Sequence, residues 1–416
     1  MTAAAITPPD FPVTDLKDPD LYVDHVPHDV FRRLRQEQPV YWNPESDGSG
    51  FWALTRYADI VEVSKRPDLF SSAHENGGHR IFNENEVGLT GAGESAIGVP
   101  FISLDPPLHN NYRKFIMPAV SPNRLAGIEE RIAARCADLI TQIPLGEAVN
   151  LVPLLSAPLP LLTLCELFDL PTDMWVKLYD WTNAFVGEDD PDFRQSLEAM
   201  GAIMAEFIAF SQGLFEDRRA RPGTDLGTLL ATMEVDGQPV AFREFLGNFI
   251  LALVGANETT RNSLSHSVCA FSDHPGEWER IRDDRDLLKT AVREMVRHAS
   301  PVMHMRRTAT ADTQIGGQRI AKGDKVVMWY IAANRDESVF PDADRFDVGR
   351  GNIQHLGFGA GQHVCVGSRL AEMQLRVAFG LLADTVARFE VVAPPRRFRS
   401  NFINGLKNLD VRMVPS

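Results

Sequence analysis

The pattern of apolar and polar positions divides the chain into a strand-bearing start, a long helical middle and a mixed end. Residues 1–27, rich in Pro and Asp, predict an irregular arm, and His28–Gln38 carries a short helical pattern. Pro39–Trp42 and Gly50–Leu54 read as the strands of a hairpin. Over about residues 73–107 no period holds, and a stretch that long is either disorder or a functional lid. From Pro107 to Asp273 the pattern is mostly helical, punctuated near Pro122, Pro144, Pro171 and Pro191. Its last part, Phe242 to Asp273, predicts one helix of roughly 45–50 Å at 1.5 Å per residue, broken by His274-Pro275. One more helix follows Lys289, and then Thr313–Ile320 and Lys325–Ile331 alternate as strands do. A helix Ser368–Leu381 and late strands Phe389–Val392 and Leu409–Val414 complete the chain. Helices dominate and strands cluster at the two ends, so the expected class is α+β.

Composition narrows the partners. Lys and Arg number 42 against 56 Asp and Glu, a net charge of −14 that disfavours nucleic acid and anionic lipid. The start of the chain lacks a cationic segment followed by an apolar one, and no apolar run nears the ~20 residues that span a bilayer. The expectation is a soluble cytoplasmic protein without a membrane anchor. Cys136, Cys165, Cys269 and Cys365 lie far apart and suggest no disulfide framework.

Four clusters carry possible chemistry. Gly357-Phe358-Gly359-Ala360-Gly361-Gln362-His363-Val364-Cys365-Val366-Gly367 sets one thiol among glycines just ahead of a helix, where amide dipoles favour thiolate. A buried structural Cys is the plain alternative; a zinc site is another, but one Cys and one His supply too few ligands. Glu294 and Arg297, spaced i, i+3, share a helix face, as many solvated pairs do. In Gly255-Ala256-Asn257-Glu258-Thr259, an acid and an alcohol stand beside a mid-helix Gly that costs about 1 kcal/mol against Ala, which suggests close approach by another group. An ordinary polar patch is the alternative. His109 and Arg113, i and i+4 after Pro106-Pro107, suit a carboxylate or are merely surface cations. Gly91-Ala92-Gly93-Glu94-Ser95-Ala96 mimics a dinucleotide loop, but no strand precedes it and Gly98 and Pro100 oppose a following helix.

Phe-Gly-x-Gly-x-His-x-Cys-x-Gly from Phe358 to Gly367 resembles the haem-binding loop of the cytochrome P-450 monooxygenases at every fixed position. The resemblance spans about residues 105–370 and takes in Asn334-Arg335-Asp336 and Phe340-Pro341. It implies a single, mainly helical domain over residues 1–416, its long central helix lying over a haem b (iron protoporphyrin IX). Cys365 would be the axial thiolate ligand of the iron, with Phe358 and Gly255 beside the haem. His109, Arg113, His363 and one of Arg306 and Arg307 would grip the propionates. The spacing Arg-x-Ala-x-x-Asp from Arg307 to Asp312 selects Arg307. Glu294 and Arg297 would join Arg350 in a buried structural network. Glu258 and Thr259 would be the acid–alcohol pair that handles protons during O₂ activation, although Ala256 replaces the family's usual Gly.

The activity implied is hydroxylation of a lipophilic small molecule of alkane, fatty-acid, terpenoid or sterol type, with a chain end as the expected position. Leu251, Val254, Gly255, Met303, Phe402 and Ile403 are the expected pocket residues. Electrons would come from a separate ferredoxin and its reductase, received near Arg113, Lys114 and Arg369, and the protein is expected to be a monomer. The rivals are a haem-thiolate ligand sensor, and an isomerase or dehydratase of the same fold.

Overall fold

The computed structural model describes residues 14–46, 48–81, 97–235 and 237–416. Residues 1–13 of the expected arm, residues 82–96 of the expected loop and the Gly91–Ala96 pattern lie outside the described residues.

The central helix runs Phe242–Asp273, the predicted bounds, and stops where His274 gives way to Pro275. Its buried positions include Phe245, Phe249, Leu253, Leu264, Val268 and Phe271, which place it inside the largest apolar cluster. Its second half also buries Asn257, Glu258, Arg261, Asn262, Ser263 and Ser267. Polar groups so placed need partners. Several find them one turn back: Asn262 Nδ2 donates to the Glu258 carbonyl at 2.8 Å, and Ser263 and Ser267 hydroxyls donate to the Thr259 and Ser263 carbonyls at 2.8 and 2.7 Å. No helix among the described residues is long and apolar enough to cross a membrane.

A five-stranded sheet draws on both ends of the chain, in the order Val40–Asn43, Phe51–Leu54, Lys325–Trp329, His304–Ala309, Phe70–Ser71. Lys325–Trp329 is buried at every position, as a strand with both neighbours filled and both faces covered must be. It pairs parallel to Phe51–Leu54, Val327 opposite Ala53, and antiparallel to His304–Ala309, Val327 opposite Arg306.

Three sequence expectations change. Thr313–Ile320 is not one strand but a hairpin, Thr313–Ile315 with Gln318–Ile320, turned by Gly316 and Gly317 at φ of 53° and 82°. Lys325–Ile331 stops being a strand at Trp329, because Tyr330–Ala333 makes one helical turn. The last strand, Asp410–Pro415, pairs with Val386–Val391 and with Ala148–Asn150, a strand that the helical middle concealed.

Candidate active site

The cysteine loop is shaped by its glycines. Gly359 and Gly361 have φ of 70° and 66°, and a Cβ on Gly361 would lie 2.0 Å from the Ser64 carbonyl oxygen. The loop therefore packs backbone to backbone on the Tyr57–Ser64 helix. Inside it the Cys365 N–H donates to the Phe358 carbonyl at 2.8 Å. Cys365 is exposed by area although protein atoms enclose it, so its open side faces an internal cleft. Burial pushes the thiol up, against the opposite pulls of the Gly367 N–H and the Arg113 guanidinium. This corrects the expectation of a thiol lowered by the helix terminus: the lowering groups are present and burial outweighs them. On the central helix Gly255 is exposed, and an added Cβ there would meet nothing within 4 Å.

Beside the loop sits a cluster of basic groups. The rings of His109 and His363 lie against each other with centroids 4.0 Å apart and planes tilted by 35°. His363 is driven down to about 2 by burial first, then by the fields of Arg307, His109, His79 and Arg113. The fully buried His109 has an Nε2 with no hydrogen-bond partner among the described residues. Neither Arg113 nor Arg307 forms an ion pair with a carboxylate among the described residues; Arg307 Nη1 donates only to the Arg306 carbonyl, at 2.7 Å. Arg306 lies on the other side of its strand, against Gly77, and donates to the Asn76 carbonyl at 3.4 Å. Ser72 Oγ bonds His363 Nε2 at 3.0 Å, and the Ser72 N–H donates to Asp105 Oδ1 at 2.9 Å. Burial pushes His79 down to about 3, and its Nδ1 bonds Ser103 Oγ at 2.7 Å.

Under the loop Glu294 and Arg297 are sealed from solvent and joined twice, Nε to Oε2 at 2.6 Å and Nη2 to Oε1 at 2.8 Å. Arg350 Nε reaches Glu294 Oε1 at 3.1 Å. Arg297 Nη1 also donates to the carbonyls of Asn334 and Ala343, at 2.6 and 2.7 Å. Asn334 then carries the network onward: its Oδ1 accepts the Leu356 N–H at 2.7 Å, two residues before Phe358.

On the central helix the acid and the alcohol point apart. Thr259 is half-buried and its Oγ1 donates to the Gly255 carbonyl at 2.7 Å. Glu258 is fully buried. Its Oε1 accepts from Arg261 Nη1 at 3.1 Å and from Asn257 Nδ2 at 3.2 Å, while Oε2 has no partner among the described residues. Burial raises its pKa, opposed by Arg261 and Asn262. Arg261 also donates to Asn183 Oδ1 at 3.3 Å and lies 5.3 Å over the Phe398 ring. Leu251, Val254 and Phe402 are half-buried. Met303 and Ile403 are buried at 0% and 3% exposure, Met303 in a cluster with Val327, Trp329 and Ile331. These two therefore back the wall rather than face open volume. The link is the Met303 N–H, which donates to the Phe402 carbonyl at 2.8 Å.

The profile of the family described as Cytochrome P450 matches residues 162–408. The linalool 8-monooxygenase of Pseudomonas putida is 68% identical over 401 residues, covering 96% of this chain and 99% of that protein. The chain belongs to the cytochrome P450 family. A methyl-branched lipid omega-hydroxylase of Mycobacterium tuberculosis is 37% identical and covers 97% of this P450 and 96% of its own length. A Mycobacterium marinum cytochrome P450 solved with pseudoionone superposes with a TM-score of 0.89 at 32% identity, covering 98% of this chain and all of that one. The P450 is thus a monooxygenase that hydroxylates a lipophilic molecule, and the sensor and isomerase readings fall away.

Membership of the P450 family implies a haem, and this chain's own residues fit one. Cys365 is an enclosed thiol, Gly255 leaves the central helix open, and, among the described residues, two guanidiniums without carboxylate partners lie near an imidazole nitrogen that has no partner. Buried cations call for anions, and a pair of haem propionates would supply them. Sequence reasoning missed His79, Ser72 and Asp105 here, isolated polar residues in an aperiodic stretch. It also missed Arg261, although Glu258-Thr259-Thr260-Arg261 has the same Glu-x-x-Arg spacing as the pair that was read.

Proposed function

We propose that this P450 hydroxylates an acyclic terpenoid alcohol of the linalool type near its chain end. The supporting observation is the 68% identity to a linalool 8-monooxygenase across nearly both whole chains. The omega-hydroxylase relative, named for the end carbon, agrees with that regiochemistry. Leu251, Val254 and Phe402 offer the apolar surface that a terpenoid chain displaces water from. The whole chain acts as one domain, a cytoplasmic monomer.

In this reading Cys365 is the thiolate ligand of haem b, and His109, Arg113, Arg307 and His363 hold its propionates. When bound, the haem supplies the iron at which O₂ is activated with two electrons and two protons. Cys365 would hold the iron as thiolate; burial alone opposes that ionisation, and the Gly367 N–H and the Arg113 guanidinium favour it. Thr259 turns its hydroxyl from the Gly255 carbonyl toward the cleft to donate a hydrogen bond there. Glu258, pulled off Arg261, passes protons on from its Oε2 side. Electrons arrive from a separate ferredoxin at the exposed Lys114 and Arg369.

Titrating the ferric enzyme with linalool should displace the iron-bound water and shift the visible spectrum; turnover should yield one terminally oxygenated product. No shift with linalool, but a shift with a straight-chain fatty acid, would move the substrate class to the omega-hydroxylase side. Thr259→Ala should leave linalool affinity within about twofold, since Ala is the best helix former. Product per nicotinamide oxidised should drop roughly tenfold or more, with hydrogen peroxide taking its place. Wild-type coupling in Thr259→Ala would assign proton delivery to another group. Glu258→Gln should instead slow turnover at unchanged coupling.

A further inference from the structure

A second group of basic side chains converges from separate elements. His28 opens the helix His28–Glu37, His266 lies on the central helix, and His298 stands near the end of the helix Leu288–Ala299. Arg335 follows the turn Tyr330–Ala333, and Arg397 belongs to the strand Arg396–Arg397. His28, His266, His298 and Arg397 each keep accessible surface although protein atoms enclose them, so their open sides face an internal cavity. The field of Arg335 falls on all three rings and that of Arg397 on His28 and His266, so the cavity is shared.

Its lining is unbalanced in sign. Arg35 Nη2 pairs with Glu337 at 3.1 Å, and Asp344 is divided between Arg32 Nη2 at 2.5 Å and Arg335 Nε at 3.5 Å. Arg397 pairs with no carboxylate among the described residues: its Nε donates to the Tyr22 carbonyl at 3.0 Å and its Nη2 to Asn404 Oδ1 at 2.5 Å. His266 Nε2 steadies that asparagine by donating to its carbonyl at 2.9 Å. Burial takes Arg335 and Arg397 down to about 10, which leaves both charged at neutral pH. Burial first, then the guanidinium fields, keeps the three imidazoles neutral. His28 Nδ1 is buried without a hydrogen-bond partner among the described residues, and the helix it opens has no side-chain cap. An enclosed charge without a counter-charge is costly, and every feature here calls for the same sign of partner.

We propose that this cavity binds a small monovalent anion of the halide kind, held by Arg397 and Arg335 and lined by the three imidazoles. Enclosure selects the charge: stripping water from an ion costs more as its charge rises, so a halide enters where phosphate does not. The site also has leverage on the haem side. His298 directly follows Arg297, and Arg335 directly follows Asn334, the two residues through which Glu294 reaches the cysteine loop. An occupied site braces that network, whichever molecule the enzyme hydroxylates.

The test uses the haem-loaded, full-length enzyme with sodium bromide as the probe, gluconate replacing it to hold ionic strength constant. Raising bromide from ~1 mM to ~100 mM should raise the melting temperature by about 3 °C or more, because a ligand bound only by the folded state stabilises it by mass action. Arg397→Met should lose this response and Arg397→Lys should keep part of it. Arg388→Gln, which breaks an exposed pair with Glu390, should match wild type and so measures the general effect of the salt. Crystals soaked in bromide should show an anomalous scattering peak among Arg397, Arg335 and His298. If Arg397→Met does not fold, His28→Leu carries the test, with bromide affinity expected to fall about tenfold. A wild type whose melting ignores bromide or follows phosphate instead, a response that survives Arg397→Met, or bromide peaks at the outer surface alone would overturn the site.

Discussion

Cys365→Ser is expected to give a folded protein that has lost product formation to the detection limit. The position faces the cleft and lies outside the three apolar clusters, so exchanging sulfur for oxygen disturbs little packing. Surface-like substitutions of this kind stay within about 0.5 kcal/mol. The loss is chemical: a serine hydroxyl ionises far less readily than a thiol and supplies no soft thiolate donor to iron. The Gly367 N–H and the Arg113 guanidinium would then stabilise no sulfur anion. Three measurements separate the outcomes. Circular dichroism should match wild type, and the melting temperature should fall only by the share that haem binding contributes. The reduced carbon monoxide complex should lose the strongly red-shifted Soret band of thiolate ligation. A Cys365→Ser protein that keeps that band would place the ligand on another thiol.

Glu294→Ala should act on the fold and not on the chemistry. It strips the carboxylate from Arg297, 0% exposed, and from the largely buried Arg350. Breaking a buried pair costs about 3–5 kcal/mol, against a total stability of about 5–15 kcal/mol. At 2–4 °C per kcal/mol in large domains, melting should drop by about 10 °C. The damage should propagate along Arg297 to Asn334 and so to Leu356, loosening the cysteine loop and lowering haem content in the purified protein. Arg350→Ala should do less, since most of that side chain's bonds go to the carbonyls of Pro341, Asp342 and Arg345. Folded, fully haem-loaded Glu294→Ala with a purely kinetic defect would contradict the structural role.

How much of this was legible in the sequence depends on how locally each feature is determined. The central helix was readable to the residue, because a sustained helical pattern met a His-Pro break. The cysteine loop was readable because its glycines answer to backbone geometry, positive φ and close approach, which few other residues satisfy. Arg261 was not, because Glu-x-x-Arg spacing says that two side chains can meet and nothing about whether water is excluded around them. Asn334 and His79 act through partners that only the fold brings near. Met303 faces the core because Val302 bridges to Ile403, a pairing across a hundred residues of chain that no local period records. The hairpin at Gly316-Gly317 carried its signal in plain view, but the alternation on either side concealed it.

The sheet that joins the two ends of the chain also sets a schedule for biosynthesis. Trp52 Nε1 donates to Asp324 Oδ2, 272 residues further on, and the strand Phe51–Leu54 beside it is buried at every position. At about 5–20 residues per second, a ribosome takes from a quarter of a minute to nearly a minute to deliver the partner strand. During that interval Phe51-Trp52-Ala53-Leu54 has one satisfied edge, toward Val40–Asn43, and one open edge that can pair with other nascent chains. Expression of this enzyme should therefore respond to chaperone supply and to slow growth more than its final stability would suggest.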